Sequence, residues 1–175
     1  MMKTLLMGIA AALLGLLGYA STRPDSFSIE RSTTVQAPPE KIYPLLADFR
    51  RWNAWSPWDR QDPAMKRHFS GALSGQGAVY AWEGNQHVGS GRMEIRSARP
   101  VSSVDIQLDL LAPFEARNIA SFTLVPEAGA TAVTWTMSGP MPFLSKVMSL
   151  FVSMDRMVGP DFETGLANLK AAAEQ

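Results

Sequence analysis

The order of apolar and polar positions divides the chain into an apolar head, a series of alternating segments and an amphipathic tail. From Leu5 to Ala20 it reads LLMGIAAALLGLLGYA, with no charge and no polar face. A helix that is apolar all round suits a bilayer or a protein interior better than a water-exposed surface. The length of the run lies between the about 7 to 15 residues of a signal-peptide core and the roughly 20 of a spanning helix. Two readings stand: an uncleaved anchor, which we prefer, and a signal segment cut after Ala20, where Gly18 and Ala20 are small. Residues 1–22 are therefore expected to be an N-terminal transmembrane anchor or signal segment, with membrane contact through residues 4–20. With Lys3 and the amino terminus held inside, the rest of the chain would face the periplasmic or extracytoplasmic side. A cleaved, secreted form follows from the second reading.

Beyond the linker the period changes to two. Ser26 to Val35 alternates as a strand with one covered face. Ala37-Pro38-Pro39-Glu40 then opens a helix, because prolines in a first turn give up N–H groups that have no partner there. Ile42, Leu45 and Leu46 form its inner stripe, and Pro44 predicts a short or kinked helix ending near Asp48. A second helical turn is expected over Phe49 to Trp52. Six further strands are predicted over residues 65–72, 77–83, 88–97, 101–111, 116–125 and 131–138, separated by Gly, Asn and Pro turns. Gly91, Met93 and Ile95 oppose Arg92, Glu94 and Arg96, and Val104, Ile106, Leu108 and Leu110 oppose Asp105, Gln107 and Asp109. Each strand thus has a dry face and a wet face.

The tail returns to helical spacing. Val147, Leu150, Phe151, Met154 and Val158 follow one stripe, and Phe162, Leu166, Leu169 and Ala173 resume it. One long helix over Phe143 to Ala173 is expected, kinked or broken near residues 158–160 by Gly159-Pro160. The whole is an α+β domain over residues 26–173, a seven-stranded antiparallel sheet burying one face against this helix. A curved sheet around one helix leaves a gap unless bulky side chains fill it, and such a gap is a natural ligand pocket.

Composition narrows the chemistry. Lys plus Arg and Asp plus Glu both number 16, so no charge excess draws the chain to nucleic acid, and none is expected as a partner. Cysteine is absent, which removes disulfides, thiolate metal sites and a cysteine nucleophile. His68 and His87 are the two histidines, among polar neighbours that suggest solvated rings; no metal and no cofactor is expected. Glycine words at 75–77 and 89–91 precede no helix, so they read as turns and a bulge rather than a phosphate cradle. Trp52, Trp55 and Trp58 lie within seven residues. They are expected to be a small packing core pinning the short helices, with a pocket mouth or membrane-facing lip as the alternative.

The stretches RSTTVQAPPEKIYPLLADFRRWNAWSPW, DPAMKRHFSGALSGQGAVYAWEGN, VGSGRMEI, TAVTWTMSG and VGPDFETGLANLKAAAE carry a resemblance that spans nearly all of the globular part. Together they resemble the helix-grip superfamily of START lipid-transfer domains, birch-pollen-allergen proteins and polyketide cyclases/dehydrases. Within it, the chain looks like bacterial polyketide-cyclase-like SRPBCC proteins with an N-terminal apolar segment. Pro160 departs from the uninterrupted helix that the resemblance implies. What it implies is a curved seven-stranded sheet wrapped round a long C-terminal helix, two short helices after the first strand, and an apolar cavity. The expected function is binding or transport of a hydrophobic small molecule or lipid at the membrane or in the extracytoplasmic space. Candidate cavity walls are Trp52, Trp55, Tyr80, Trp82, Met93, Trp135, Phe151, Met154 and Phe162. Two alternatives remain: a cyclase, aromatase or hydratase in which Glu83 or His87 shuttles a proton, and an interaction module docking through exposed indoles. No catalytic residue is assigned, since no nucleophile stands beside a base.

Overall fold

The computed structural model describes residues 2–175. Seven antiparallel strands form one sheet in the order β1-β7-β6-β5-β4-β3-β2. Strands β2 (Lys66–Gly71), β3 (Ala78–Glu83), β4 (Ser90–Arg99), β5 (Ser103–Ala112), β6 (Ala116–Glu127) and β7 (Ala130–Pro140) follow one another as hairpins, and β1 (Ser26–Val35) closes beside β7. The dry faces read from the alternation meet across the sheet, with Ile95 opposite Ile106 and Phe122 opposite Trp135. A register shift between Ile95 and Ser97 bends β4 against β5 and adds to the sheet's curvature. Packing requires a glycine at Gly91, because a Cβ there would stand 2.5 Å from the Trp82 ring and 2.7 Å from the Asp109 carbonyl. Its absence lets the indole lie flat on the sheet.

Between β1 and β2 the chain crosses the concave face. Helix α2 (Pro39–Ala47) starts at its prolines and stops at Asp48, as the sequence predicts, and tolerates Pro44 over its short length. Asp48 accepts a hydrogen bond from the Arg50 amide at 2.9 Å, which opens a 3-10 turn over Phe49–Ala54. Two indoles then answer the loose carbonyls at the end of α2. Trp52 Nε1 donates to the Leu46 carbonyl at 3.1 Å, and Trp55 Nε1 donates to the Leu45 carbonyl at 2.9 Å. A one-turn helix, α3 (Trp58–Gln61), follows Pro57; the sequence did not announce it.

The tail departs from expectation. It is two helices, α4 (Phe143–Ser149) and α5 (Met154–Ala173), separated at residues 150–153, and α5 runs through Gly159-Pro160 without interruption. The break falls where a better start exists: the Ser153 side chain accepts from the Arg156 amide at 3.2 Å and Asp155 occupies the first turn. Tertiary contacts carry the helix past the proline. Arg31 on β1 bonds Asp155 and Glu163, each at 2.8 Å, and so bridges the two turns that flank Pro160. Its guanidinium occupies the space where a Cβ on Gly159 would stand. Phe162, Leu166, Leu169 and Ala173 are buried against the sheet, and Lys170 Nζ ties the last turn to the Thr34 carbonyl at 2.6 Å.

Helix α1 (Met2–Ser21) is long and apolar enough to cross a membrane, with most of its side chains exposed. It packs on α4, and Ala20 near its end is fully buried.

Candidate functional site

A partly enclosed cavity of about 230 Å³ lies between the concave sheet, the first half of α5 and the chain from Trp52 to Met65. Of the nine side chains proposed from sequence, Trp52, Tyr80, Trp82, Met93, Trp135 and Met154 line it. Trp55 and Phe162 do not: they are 0% and 1% exposed and form the packed layer behind the wall. Phe151 is 70% exposed in the link between α4 and α5, outside the cavity, because the helix that would have turned it inward stops at Ser149.

The tryptophan cluster is both core and wall. Trp52 and Trp55 pin α2 as a packing core should, their rings 4.7 Å apart, while Trp52 and Trp58 also face the cavity. Trp135 stands at the junction, edge-on to Trp55 and Trp58 and stacked on Phe122 and Phe162. With Trp52, Trp55, Trp82 and Trp135 buried, the indoles do not form the exposed docking face of the interaction-module reading.

Further wall residues come from β5, where the sequence marks the dry face, and from β6 and β7, where it leaves the face open. Leu108 and Leu110 continue the Val104–Ile106 alternation, and Ala120 and Met137 share the inward register of Phe122 and Trp135. Asp59 and Asp161 also line it, although no periodicity points to them. Each follows a proline by one or two positions, where a carboxylate reads as ordinary first-turn chemistry.

These two acids differ. Asp59 is held by Arg67, with Oδ1 2.6 Å from Nη2 and 2.7 Å from Nε, so its charge is compensated. Asp161 has no ion pair among the described residues, and burial pushes its carboxyl above the ordinary value. The Tyr80 phenol is pushed up to about 12 by burial, with the Asp59 charge adding to it, and stays protonated at neutral pH. Two buried wall atoms, Asn118 Oδ1 and Trp135 Nε1, have no hydrogen-bond partner among the described residues. Among the described residues, no Lys, Arg or His belongs to the wall.

The rim is braced by buried Asp62, whose carboxylate accepts from the Asn85 amide at 2.7 Å and the Ala64 amide at 3.1 Å. This fixes the β3–β4 hairpin against the chain leaving α3. Glu83 and His87, the proton shuttles of the enzyme alternative, do not reach the cavity. Glu83 is exposed and 3.9 Å from Lys66; His87 is exposed in the hairpin, as is His68 on β2. Among the described residues, no group of three His, Asp or Glu side chains could hold a metal ion.

Comparison with known proteins bears on this geometry. The family model for polyketide cyclase / dehydrase and lipid transport matches residues 26–174. Among solved structures, the Aha1 dimer from Colwellia psychrerythraea superposes with a TM-score of 0.60 at 19% identity, over 85% of this chain and 96% of that one. Ara h 8.0201 gives 0.55 at 12%, over 85% and 95%. The di-domain ARO/CYC StfQ from the steffimycin biosynthetic pathway gives 0.63 at 13%, over 85% of this chain and 51% of that one. At these identities the likeness is one of fold, the helix-grip arrangement anticipated from the quoted sequence words. No curated protein matches the chain. The chain belongs to the polyketide cyclase / dehydrase and lipid transport family.

Proposed function

We propose that this family member binds a compact hydrophobic molecule, or the end of a lipid, in the cavity, and carries it at a membrane to which α1 tethers the domain. The observation that carries the reading is the cavity: an apolar, aromatic-walled hollow with a few polar atoms. Its about 230 Å³ exceeds the roughly 150 Å³ that accepts a benzene ring and lies below the roughly 300 Å³ of drug-sized sites. One ring system or part of a chain suits that volume better than a whole phospholipid. Affinity would come from apolar burial at about 25 cal/mol per Å², with the polar atoms setting orientation.

Charge supports a further choice. A wall with a compensated Asp59, an uncompensated Asp161 and no cation disfavours an anionic headgroup and favours a neutral or cationic one. Native mass spectrometry of the full chain in detergent, followed by tryptophan-fluorescence titration with dodecanol, dodecylamine and dodecanoate, tests it. A protein that carries no small molecule and answers none of the probes defeats the carrier reading.

A second reading is favoured by Asp161: a cyclase-type enzyme in which this desolvated carboxyl, rather than Glu83 or His87, moves a proton on the bound chain. Turnover of a poly-β-ketone analogue that vanishes in Asp161→Asn, with ligand affinity retained, would select it.

On the membrane side, Lys3 ahead of the apolar run favours an orientation with the start of α1 inside and the domain in the extracytoplasmic space. Carbonate extraction and protease protection of the full chain check anchoring and side.

A further inference from the structure

An exposed apolar surface lies beside α1, outside the cavity. On α4 and the turn after it Phe143, Leu144, Met148, Phe151 and Val152 are exposed, and Met157 adds to them from α5. Leu144, Met148 and Phe151 follow helical spacing, and the turn is kept by amide bonds from Phe151 and Val152 to the Met148 carbonyl. Water-soluble domains seldom leave such a run uncovered.

What borders this surface says what covers it. Helix α4 packs on α1, and the link between α1 and β1 is fastened both to α4 and to the residue just before its cap. The Met141 amide donates to the Asp25 carbonyl at 2.7 Å, and Lys146 donates to the Asp25 carboxylate. The Lys146 side chain is 9% exposed and that of Asp25 97%, so the lysine stem is covered while its partner stands in water. Lysines near the ends of membrane-bound helices reach in this way from an apolar level to a wet one. Arg23 on the link and Arg156 on α5 are exposed and add positive charge on either side.

We propose that α4 and the turn that follows lie in the interfacial layer of the bilayer spanned by α1, with Leu144, Met148, Phe151 and Met157 at the headgroup–acyl boundary, and that the domain exchanges its ligand with that leaflet. The proposal rests on the membrane-tethered carrier reading above. Met154 and Val158, which wall the cavity, alternate along the start of α5 with Met157, which faces outward. The helix that encloses the ligand is therefore the helix that touches lipid.

The chain has no cysteine, so single cysteines at Leu144, Phe151 and Leu73 can each carry an environment-sensitive fluorophore. Leu73 is exposed beside β2, at the opposite edge of the sheet from β1 and β7. The full chain is reconstituted into phosphatidylcholine/phosphatidylglycerol vesicles with and without doxyl-labelled lipid. Blue-shifted emission at 144 and 151, quenched severalfold more by doxyl lipid than emission at 73, is expected. Water-like emission at 144 and 151 overturns the proposal; blue-shifted emission without lipid quenching, with cross-linking between copies, overturns it in favour of a face between two chains. Extraction of dodecanol from vesicles by Leu144→Ser/Met148→Ser should slow about tenfold, with unchanged affinity in detergent; an unchanged rate overturns the exchange step. Loss of dodecanol binding in detergent by the unsubstituted chain would count against the carrier reading alone, since the fluorophore result is obtained without ligand.

Discussion

Trp135 on β7 and Phe162 on α5 stack with ring centroids 3.9 Å apart and planes 10° from parallel. This contact joins helix to sheet directly behind the cavity wall, and Gly165 one turn later lets the same indole approach, since a Cβ there would stand 2.8 Å from its Cζ3.

Replacing Phe162 by alanine removes the stack and opens a void in a 1%-exposed site. A loss of about 3–5 kcal/mol in urea unfolding is expected. A loss below about 1 kcal/mol would mean that α5 is held elsewhere.

Filling the hollow should separate binding from folding. Ala120 lines the cavity from β6, and Ala120→Leu adds apolar volume there without a polar atom. Dodecanol affinity should fall at least about tenfold while the melting temperature stays the same or rises. An unaltered titration would place the ligand elsewhere.

Asp161 should reveal itself by headgroup. In Asp161→Asn, dodecylamine is expected to lose about ten- to hundredfold in affinity, as the about 1.5–3 kcal/mol of a charge-assisted hydrogen bond implies, and dodecanol much less. Its raised folded-state pKa sets the sign for stability: protonation favours the fold at low pH, and the advantage disappears as pH rises through that value. The asparagine variant should therefore match the parent in acid and melt slightly higher at neutral pH, as scanning calorimetry can measure.

The Arg31 bridge has the opposite sign. Hydrogen bonding to Arg31 holds Asp155 below its ordinary 3.8, so this contribution is present above that pH and is lost as pH falls further. Melting curves of Arg31→Gln should be flatter than those of the parent between neutral and acid pH. Added salt should shrink the difference, because these partners are largely exposed.

Much of the fold is legible in the sequence because its strands have one wet side. Alternation gives Ser26–Val35 the bounds it has, and displaces the remaining strands by one or two residues at most ends. Phe151 shows the limit: helical spacing joins it to Met154, but the Ser153 cap, a single side-chain bond, outcompetes continuity and leaves the ring outside. Pro160 shows the converse, since its local penalty is overridden by Arg31, which lies far away in sequence. Among the wall residues, Leu108 and Leu110 follow from alternation, whereas Asp59 and Asp161 do not. A carboxylate next to a proline gives the same local signal whether it faces water or a hollow.

The order of the strands also governs assembly. Each strand from β2 to β7 finds its neighbour by a short hairpin, but β1, the earliest made, pairs only with β7, from Thr131 to Pro140. Until that stretch leaves the ribosome, ten residues of backbone wait with open edges beside the apolar helix that precedes them. The first strand synthesised is thus the last to be closed, and nascent chains stalled before residue 131 present the form most exposed to misassembly.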